Sequence, residues 1–350
     1  MKRHITIGMD LGDKNHIAVV LDHDGNEMEC IQLKNNKISL RRYFQRYLGA
    51  TVAIEAGTHS PWISRLLKEL GCQVYVGNPY KLRVIWDSTD KSDERDARML
   101  AMVCRLEPRL LWPIHHRSES AHNDLETINA RNMLVQTRTK LINHVRSAVK
   151  TTGQRLPKCS AASFAGRAIN LLDKTMLPAL EPLIDTIADI SDRIKKLDKQ
   201  IESLAAERYP ESEALQQVSG VGPLTALAYV LTIEDPGRFA KSRMVGPYLG
   251  LTPRRDQSGN IDKQLSITKA GNGYLRKLLV GCAHYIIGPF GPDCDLRRHG
   301  LNIAARGGKN ARKRAAVAVA RKLSVLLHSL WVNGQEYEPL YCSVKFDKAA

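Results

Sequence analysis

The chain has 350 residues and a hydrophobic fraction of 43%, enough for two or three domains with real cores and ordinary for a globular protein. Its formal net charge of +16 and pI near 9.6 point to a polyanionic partner, nucleic acid first. No run approaches the ~20 apolar residues of a membrane span, and Met1-Lys2-Arg3-His4-Ile5 leads straight into a strand pattern, so neither a membrane anchor nor a signal peptide is expected. The seven cysteines (Cys30, Cys72, Cys104, Cys159, Cys282, Cys294, Cys342) are scattered with no CxxC pair. That speaks against a zinc site and a disulfide scaffold and for reduced thiols in a cytoplasmic compartment.

Ile5 to Gly12 reads as a buried strand ending in an acid, and Ile17 to Leu21 as a second strand. Asp22-His23-Asp24-Gly25-Asn26 makes a tight hairpin turn, and Glu27 to Leu33 returns as a third strand. A helix is expected around Leu40 to Tyr47, then a short apolar strand, Thr51 to Ala56. Ser60-Pro61 opens a helix that Gly71 stops, and Gln73 to Val76 is the next strand. Hairpin-linked strands followed by alternating helix and strand predict an α/β domain of RNase H-like layout.

Lys91-Ser92-Asp93-Glu94-Arg95-Asp96-Ala97 reads as a helix start, with Ser92 as N-cap and acids in the first turn. Asp93 and Asp96 are three residues apart, so their carboxylates share a helix face and repel. Asp10 and Glu55 stand at the C-terminal ends of two apolar strands, where α/β sheets collect ligands. Each such acid alone also fits a solvated loop. If the two strands are neighbours, Asp10, Glu55, Asp93 and Asp96 converge, and an all-carboxylate set suits Mg²⁺ or Mn²⁺ in phosphoryl transfer.

From Ala121 to Lys150 a polar helix carries Arg131, Arg138 and Arg146, which fit phosphate contacts or a solvated face. Thr151 to Gly166 reads as a linker. Leu183, Ile187, Ile190, Ile194, Leu197, Ile201 and Leu204 recur at alternating spacings of four and three, the seam of a coiled coil. Its partner is either the preceding helix or a second copy. Val218-Ser219-Gly220-Val221-Gly222-Pro223 is like the hairpin of a helix-hairpin-helix, with Gly220 and Gly222 letting N–H groups approach phosphate, though a plain turn fits as well. Tyr248 to Gly259 runs into a polar, glycine-marked loop containing Arg254 and Arg255. Lys269-Ala270-Gly271-Asn272 opens a basic helix with Arg276 and Lys277, and Gly307 to Arg314, including Arg312, precedes a final apolar helix. This half reads as all-helical and cationic.

Gly8-Met9-Asp10, Ile54-Glu55-Ala56-Gly57-Thr58, Ser92-Asp93-Glu94-Arg95-Asp96-Ala97, Gly220-Val221-Gly222, Gly250-Leu251-Thr252-Pro253-Arg254, Gln257-Ser258-Gly259 and Lys269-Ala270-Gly271 follow in one order over nearly the whole chain. In this it resembles the DEDD transposases of insertion-sequence family one-ten, which include bridge-RNA-guided recombinases. The resemblance implies a RuvC-like (RNase H-like) domain over 1–150 that holds Mg²⁺ or Mn²⁺ on Asp10, Glu55, Asp93 and Asp96. It further implies a linker and coiled coil over 151–212, a mainly α transposase domain over 213–335 and a tail over 336–350.

The resemblance places the serine nucleophile at Ser258, with Ser266 and Thr268 structural or phosphate-contacting. It implies donor and target DNA, a structured guide RNA, a dimeric or tetrameric homo-oligomer and a nucleoid-associated protein of the bacterial cytoplasm. A serine hydroxyl needs activation, and no Ser-His-Asp set stands nearby in the sequence, so that role falls to the metal-bound acids. Attack leaves a phosphoserine link and a free 3′-hydroxyl, which keeps the bond energy for religation without ATP. Two other readings use the same residues differently: a junction nuclease working with the four acids alone, and a non-catalytic nucleic-acid-binding protein.

Overall fold

The computed structural model describes residues 5–82, 92–173, 175–259 and 261–341. Met1 to His4 of the leader reading, Lys91 of the acid motif, Asn260 and the tail beyond Tyr341 lie outside the described residues. The chain packs as two compact units, residues 1–118 and 119–350.

The first unit opens with β1 (Thr6–Leu11), β2 (Asn15–Leu21) and β3 (Glu27–Lys34), then α1 (Lys37–Phe44), β4 (Thr51–Glu55), α2 (Ser60–Glu69) and β5 (Gln73–Gly77). Two further helices follow, α3 (Pro79–Leu82) and α4 (Asp93–Leu106). The helix expected at Leu40 begins earlier because Asn36 caps it, its side chain accepting from the Ser39 N–H at 2.8 Å. The sheet order is β3-β2-β1-β4-β5. β1 runs antiparallel to β2 and parallel to β4, so the two acid-ended strands are neighbours.

The alternation of each strand gives the sheet two different faces. Ile7, Met9, Val52 and Ile54 join Leu40, Phe44, Ile63 and Leu67 from α1 and α2 in one core. The opposite face carries small residues, Gly8 on β1 and Ala53 on β4, and α4 lies over it through Ala97, Leu100 and Ala101.

The second unit begins with α5 (Glu119–Thr151), α6 (Phe164–Ile169), α7 (Leu177–Arg208), α8 (Glu211–Gln216), α9 (Pro223–Ile233) and the short α10 (Val245–Tyr248). A hairpin of β6 (Pro253–Ser258) and β7 (Ile261–Ile267) comes next, followed by α11 (Gly273–Ile287), α12 (Asp295–Ala305) and α13 (Ala311–Asn333). α5, read from the sequence as part of the first domain, packs along α7 in the second unit. The stretch read as a linker has its own small core, where Phe164 and Ala168 meet Val145, Val149, Leu180 and Ile184.

Ile187, Ile190, Ile194 and Ile201 of the heptad seam are buried within the chain, largely beside α5, so the preceding helix takes the place left open for a partner. The second half is not all-helical: the expected polar loop is the β6–β7 hairpin. α13 is long and apolar enough to cross a bilayer, yet half of that stretch is inside the unit. Its Ala315, Val319, Leu323 and Leu327 are core residues of the unit.

Candidate active site

The acid site follows from the small-residue face of the sheet. Gly8 and Asp10 project from the same side of β1, Ala53 and Glu55 from the same side of β4, and α4 covers that side. A Cβ on Gly8 would collide with the Ala97 carbonyl oxygen and the Ala101 nitrogen, so only glycine lets α4 lie this close. Ser92 caps α4, its hydroxyl accepting from the Arg95 N–H at 3.3 Å, and Asp93 and Asp96 occupy the first turn.

Asp10, Glu55 and Asp96 are half-buried and Asp93 is exposed. Burial pushes the Asp10 carboxyl above the usual carboxylate range, and the charges of Asp93 and Asp96 push it further. Burial likewise raises Glu55, followed by the charges of Asp10 and Asp96. Among the described residues none of the four acids has an ion-pair partner. An all-oxygen set with uncompensated negative charge fits a hard divalent cation.

The four are spread more widely than Asp22, His23 and Asp24, the one set among the described residues with three donor atoms within 4.8 Å of one another. That set is a turn lock: Asp22 accepts from the N–H groups of Asp24 at 2.9 Å and Asn26 at 2.8 Å.

Two histidines missed in the sequence stand beside the acid-ended strands: His16 on β2, paired with Leu11 of β1, and His59 at the N-cap of α2, after Glu55. His16 is fully buried, and its ring meets His59 edge-on at 6.5 Å between centroids. Burial holds the His16 imidazole below its ordinary range. His59 Nε2 lies 3.3 Å from Asp13 Oδ1. Neither residue carries a signal in the chain that separates it from a packed core histidine.

Ser258 pairs with Ile261 as the closing pair of the hairpin, and β6 is exposed along its whole length. Gly259 adopts a φ of +55°, the left-handed region a two-residue connection requires. The signal was present in the sequence: Ser258-Gly259-Asn260-Ile261 puts a Gly-Asn dipeptide between two short runs.

At the hairpin base the motifs around Gly250 and Gly271 interlock. A Cβ on Gly250 would strike the backbone of Ala270, and one on Gly271 the carbonyl of Tyr248. Both glycines have φ of +67°. The Thr268 N–H donates to Thr252 O at 2.9 Å and the Lys269 N–H to Gly250 O at 3.2 Å. Arg276 locks the joint by donating to the carbonyls of Leu249 at 2.9 Å and Ala270 at 2.7 Å. Arg254 donates to Ser266 Oγ at 3.3 Å, and Arg255 pairs with Asp262 at 3.4 Å.

Several cations expected on nucleic acid are engaged inside the second unit. Arg131 pairs with Asp198 at 2.7 Å, Arg138 donates to Ser191 Oγ at 3.1 Å, and Arg146 lies over the Phe164 ring at 5.4 Å. A long side chain on a two-helix interface lays its stem along apolar surface and its head on the nearest acceptor, which the helical pattern alone does not reveal. Lys269, Lys277 and Arg312 are exposed. Gly220 is a turn glycine with φ of +91° packed under Tyr285, where a Cβ would lie 2.7 Å from Cδ1. Gly222 caps α9 and has open space around it.

Two family models match this chain. One, described as Transposase and built on the DEDD domain of the IS110 group, covers residues 7–153, and one for the Transposase IS116/IS110/IS902 family covers residues 212–293. The chain is 27% identical over 347 residues to a probable family 20 transposase of Pseudomonas aeruginosa, spanning 95% of this chain and 98% of the relative. It is 25% identical over 299 residues to the transposase for insertion sequence element IS1111A of Coxiella burnetii, covering 83% and 79% of the two chains. A pilin gene-inverting protein of Moraxella bovis is 30% identical over 150 residues, 42% of this chain and 45% of that one. A DEDD domain of this kind implies use of a divalent metal. With the acid-ended strands side by side and both motif sets in family order, the chain belongs to the IS110 family of DEDD transposases and is a DNA recombinase.

Proposed function

We propose that this transposase cuts and rejoins donor and target DNA through a covalent phosphoserine at Ser258, with Mg²⁺ (or Mn²⁺) held by Asp10, Glu55, Asp93 and Asp96. The observation that carries the reading is the division of labour between the two sites. The acid cluster has charge but no nucleophile, and Ser258 stands at the end of an exposed arm with no hydrogen-bond partner for its hydroxyl among the described residues. A divalent ion on the carboxylates would supply positive charge to the phosphate oxygens and to the attacking hydroxyl.

In the cleavage step Ser258 Oγ loses its proton and bonds to the scissile phosphorus. The P–O3′ bond breaks and the leaving oxygen takes up a proton as a free 3′-hydroxyl. Rejoining reverses the step with a different 3′-hydroxyl, so the bond count is conserved and no nucleotide cofactor is consumed. The joint of Gly250, Gly271 and Arg276 sets the arm's root, so the hydroxyl stands at the end of a hydrogen-bonded hairpin.

A surplus of +16 exceeds what one catalytic footprint needs, which supports a structured guide RNA alongside the DNA. The reading places the working form in a homo-oligomer within the cytoplasm, at the nucleoid. Incubating the protein with element-end DNA and Mg²⁺, denaturing it and mapping any adduct tests the chemistry. DNA attached to the Ser258 peptide is expected. Free cleaved ends without an adduct would assign the cut to the four acids alone, as in a junction nuclease.

A further inference from the structure

In the second unit, α12, α13, the base of the hairpin and the segment after α13 enclose an open groove of about 1670 Å³. Its floor is aliphatic: Leu296, Ile303, Val317, Val325 and Leu326. Gly300 lets α12 lie against its neighbours, since a Cβ there would be 2.5 Å from Ile287 and 2.8 Å from Val319. The α12 end and the first half of α13 add Arg306, Lys313, Arg314, Arg321 and Lys322 to the lining. Among the described residues none of these five cations joins an ion pair, whereas Arg41, Arg98, Arg208 and Arg298 elsewhere all do. Burial, then the charges of Lys322 and Arg306, holds the His299 imidazole below its ordinary range. One wall is β7, through Gln264 and Ser266.

We infer that this groove holds an unpaired DNA strand leading to Ser258, its phosphates on the cations of α12 and α13 and its bases on the aliphatic floor. The inference rests on the proposed arrival of DNA at Ser258. A duplex keeps its base faces stacked inside and would leave the apolar floor uncovered, while an unpaired strand presents phosphates and base faces together. The groove also has a polarity. Glu336 and Glu338 line it beyond the end of α13, so a polyanion is retained along the first turns of α13 and turned away there. At about 3.3 Å per residue, Ser258 stands about 17 Å along β6 from Pro253, itself a groove residue. The held segment is therefore set off from the scissile phosphate rather than containing it.

The test measures binding of a short labelled single-stranded DNA, the matching duplex and an RNA of the same sequence to the full chain by anisotropy. The triple variant Arg306→Gln/Arg321→Gln/Lys322→Gln, checked for unchanged melting, should bind the single strand at least ten-fold more weakly and the duplex less than two-fold. Its salt slope on single strands should fall by about 2, from a slope near 0.7 per phosphate. Val325→Asn, which only makes the floor polar, should also weaken the single strand selectively. Unchanged single-strand binding, an equal loss on duplex, or a loss confined to RNA would overturn the inference. No strand is cut in this measurement, so its failure leaves adduct formation at Ser258 untouched. Conversely, absence of any adduct with the unaltered protein would remove the serine reading while the binding result stood.

Discussion

Gly8 of β1 and Ala97 of α4 meet backbone to backbone, and that approach brings Asp93 and Asp96 to the side of the sheet where Asp10 and Glu55 project. The glycine of the Gly8-Met9-Asp10 motif and the alanine of the Asp96-Ala97 pair are thus the uncharged half of the acid site. A larger residue at either would lift the helix and spread the carboxylates.

Gly8→Ala should therefore act on the site without touching an acid. The added methyl overpacks the sheet–helix contact and should cost about 1–3 kcal/mol in urea unfolding. The Mg²⁺-dependent rise in melting temperature should shrink as well. Normal stability together with a normal metal response would show that α4 is not held by this contact.

Asp10→Asn should raise the stability of the metal-free protein at neutral pH and abolish its stabilisation by Mg²⁺. The Asp10 and Glu55 carboxyls are raised in the folded state, so that state binds their protons more tightly than the unfolded chain does. Their contribution is fully present below the unfolded carboxylate values near 4 and is lost as pH rises through the raised folded values. In the absence of metal, melting curves of the unaltered protein should lose stability over that window, and the loss should be smaller in Asp10→Asn. Identical pH profiles would disconnect Asp10 from the cluster.

Ser258→Ala should leave folding, DNA binding and the metal response intact while removing the covalent adduct. Ser266→Ala and Thr268→Ala should keep partial activity, because Ser266 only receives Arg254 and Thr268 holds the hairpin base through its backbone. Phosphate mapped by mass spectrometry to a peptide containing Ser266 or Thr268 would move the nucleophile.

Ile190→Asp should unfold the second unit more readily, not merely split an assembly. Ile190 is 7% exposed in the α7 seam, and an unpaired charge buried there costs roughly 3–5 kcal/mol. Denaturant melts should register that loss. Smaller particles in mass photometry with unchanged unfolding would return the seam to a contact between chains.

Much of this protein was legible in the residues themselves. Apolar runs ending in Asp10 and Glu55, the Ser92 cap and the acids after it are local patterns, and local backbone chemistry sets them. The charge of +16 and the order of the motifs named the partner class and the family. What the residues could not decide was which surfaces face which. The parallel pairing of β1 with β4 makes neighbours of acids 45 residues apart in the chain, a matter of sheet order. Arg131, Arg138 and Arg276 look like phosphate ligands by type, but acceptors from distant elements claim them. The heptads of α7 specify a partner helix without saying whose, and α5 of the same chain covers them. The hairpin under Ser258 depends on the interlock of Gly250 with Ala270 and of Gly271 with Tyr248, a contact between two turns that exists only once both have folded.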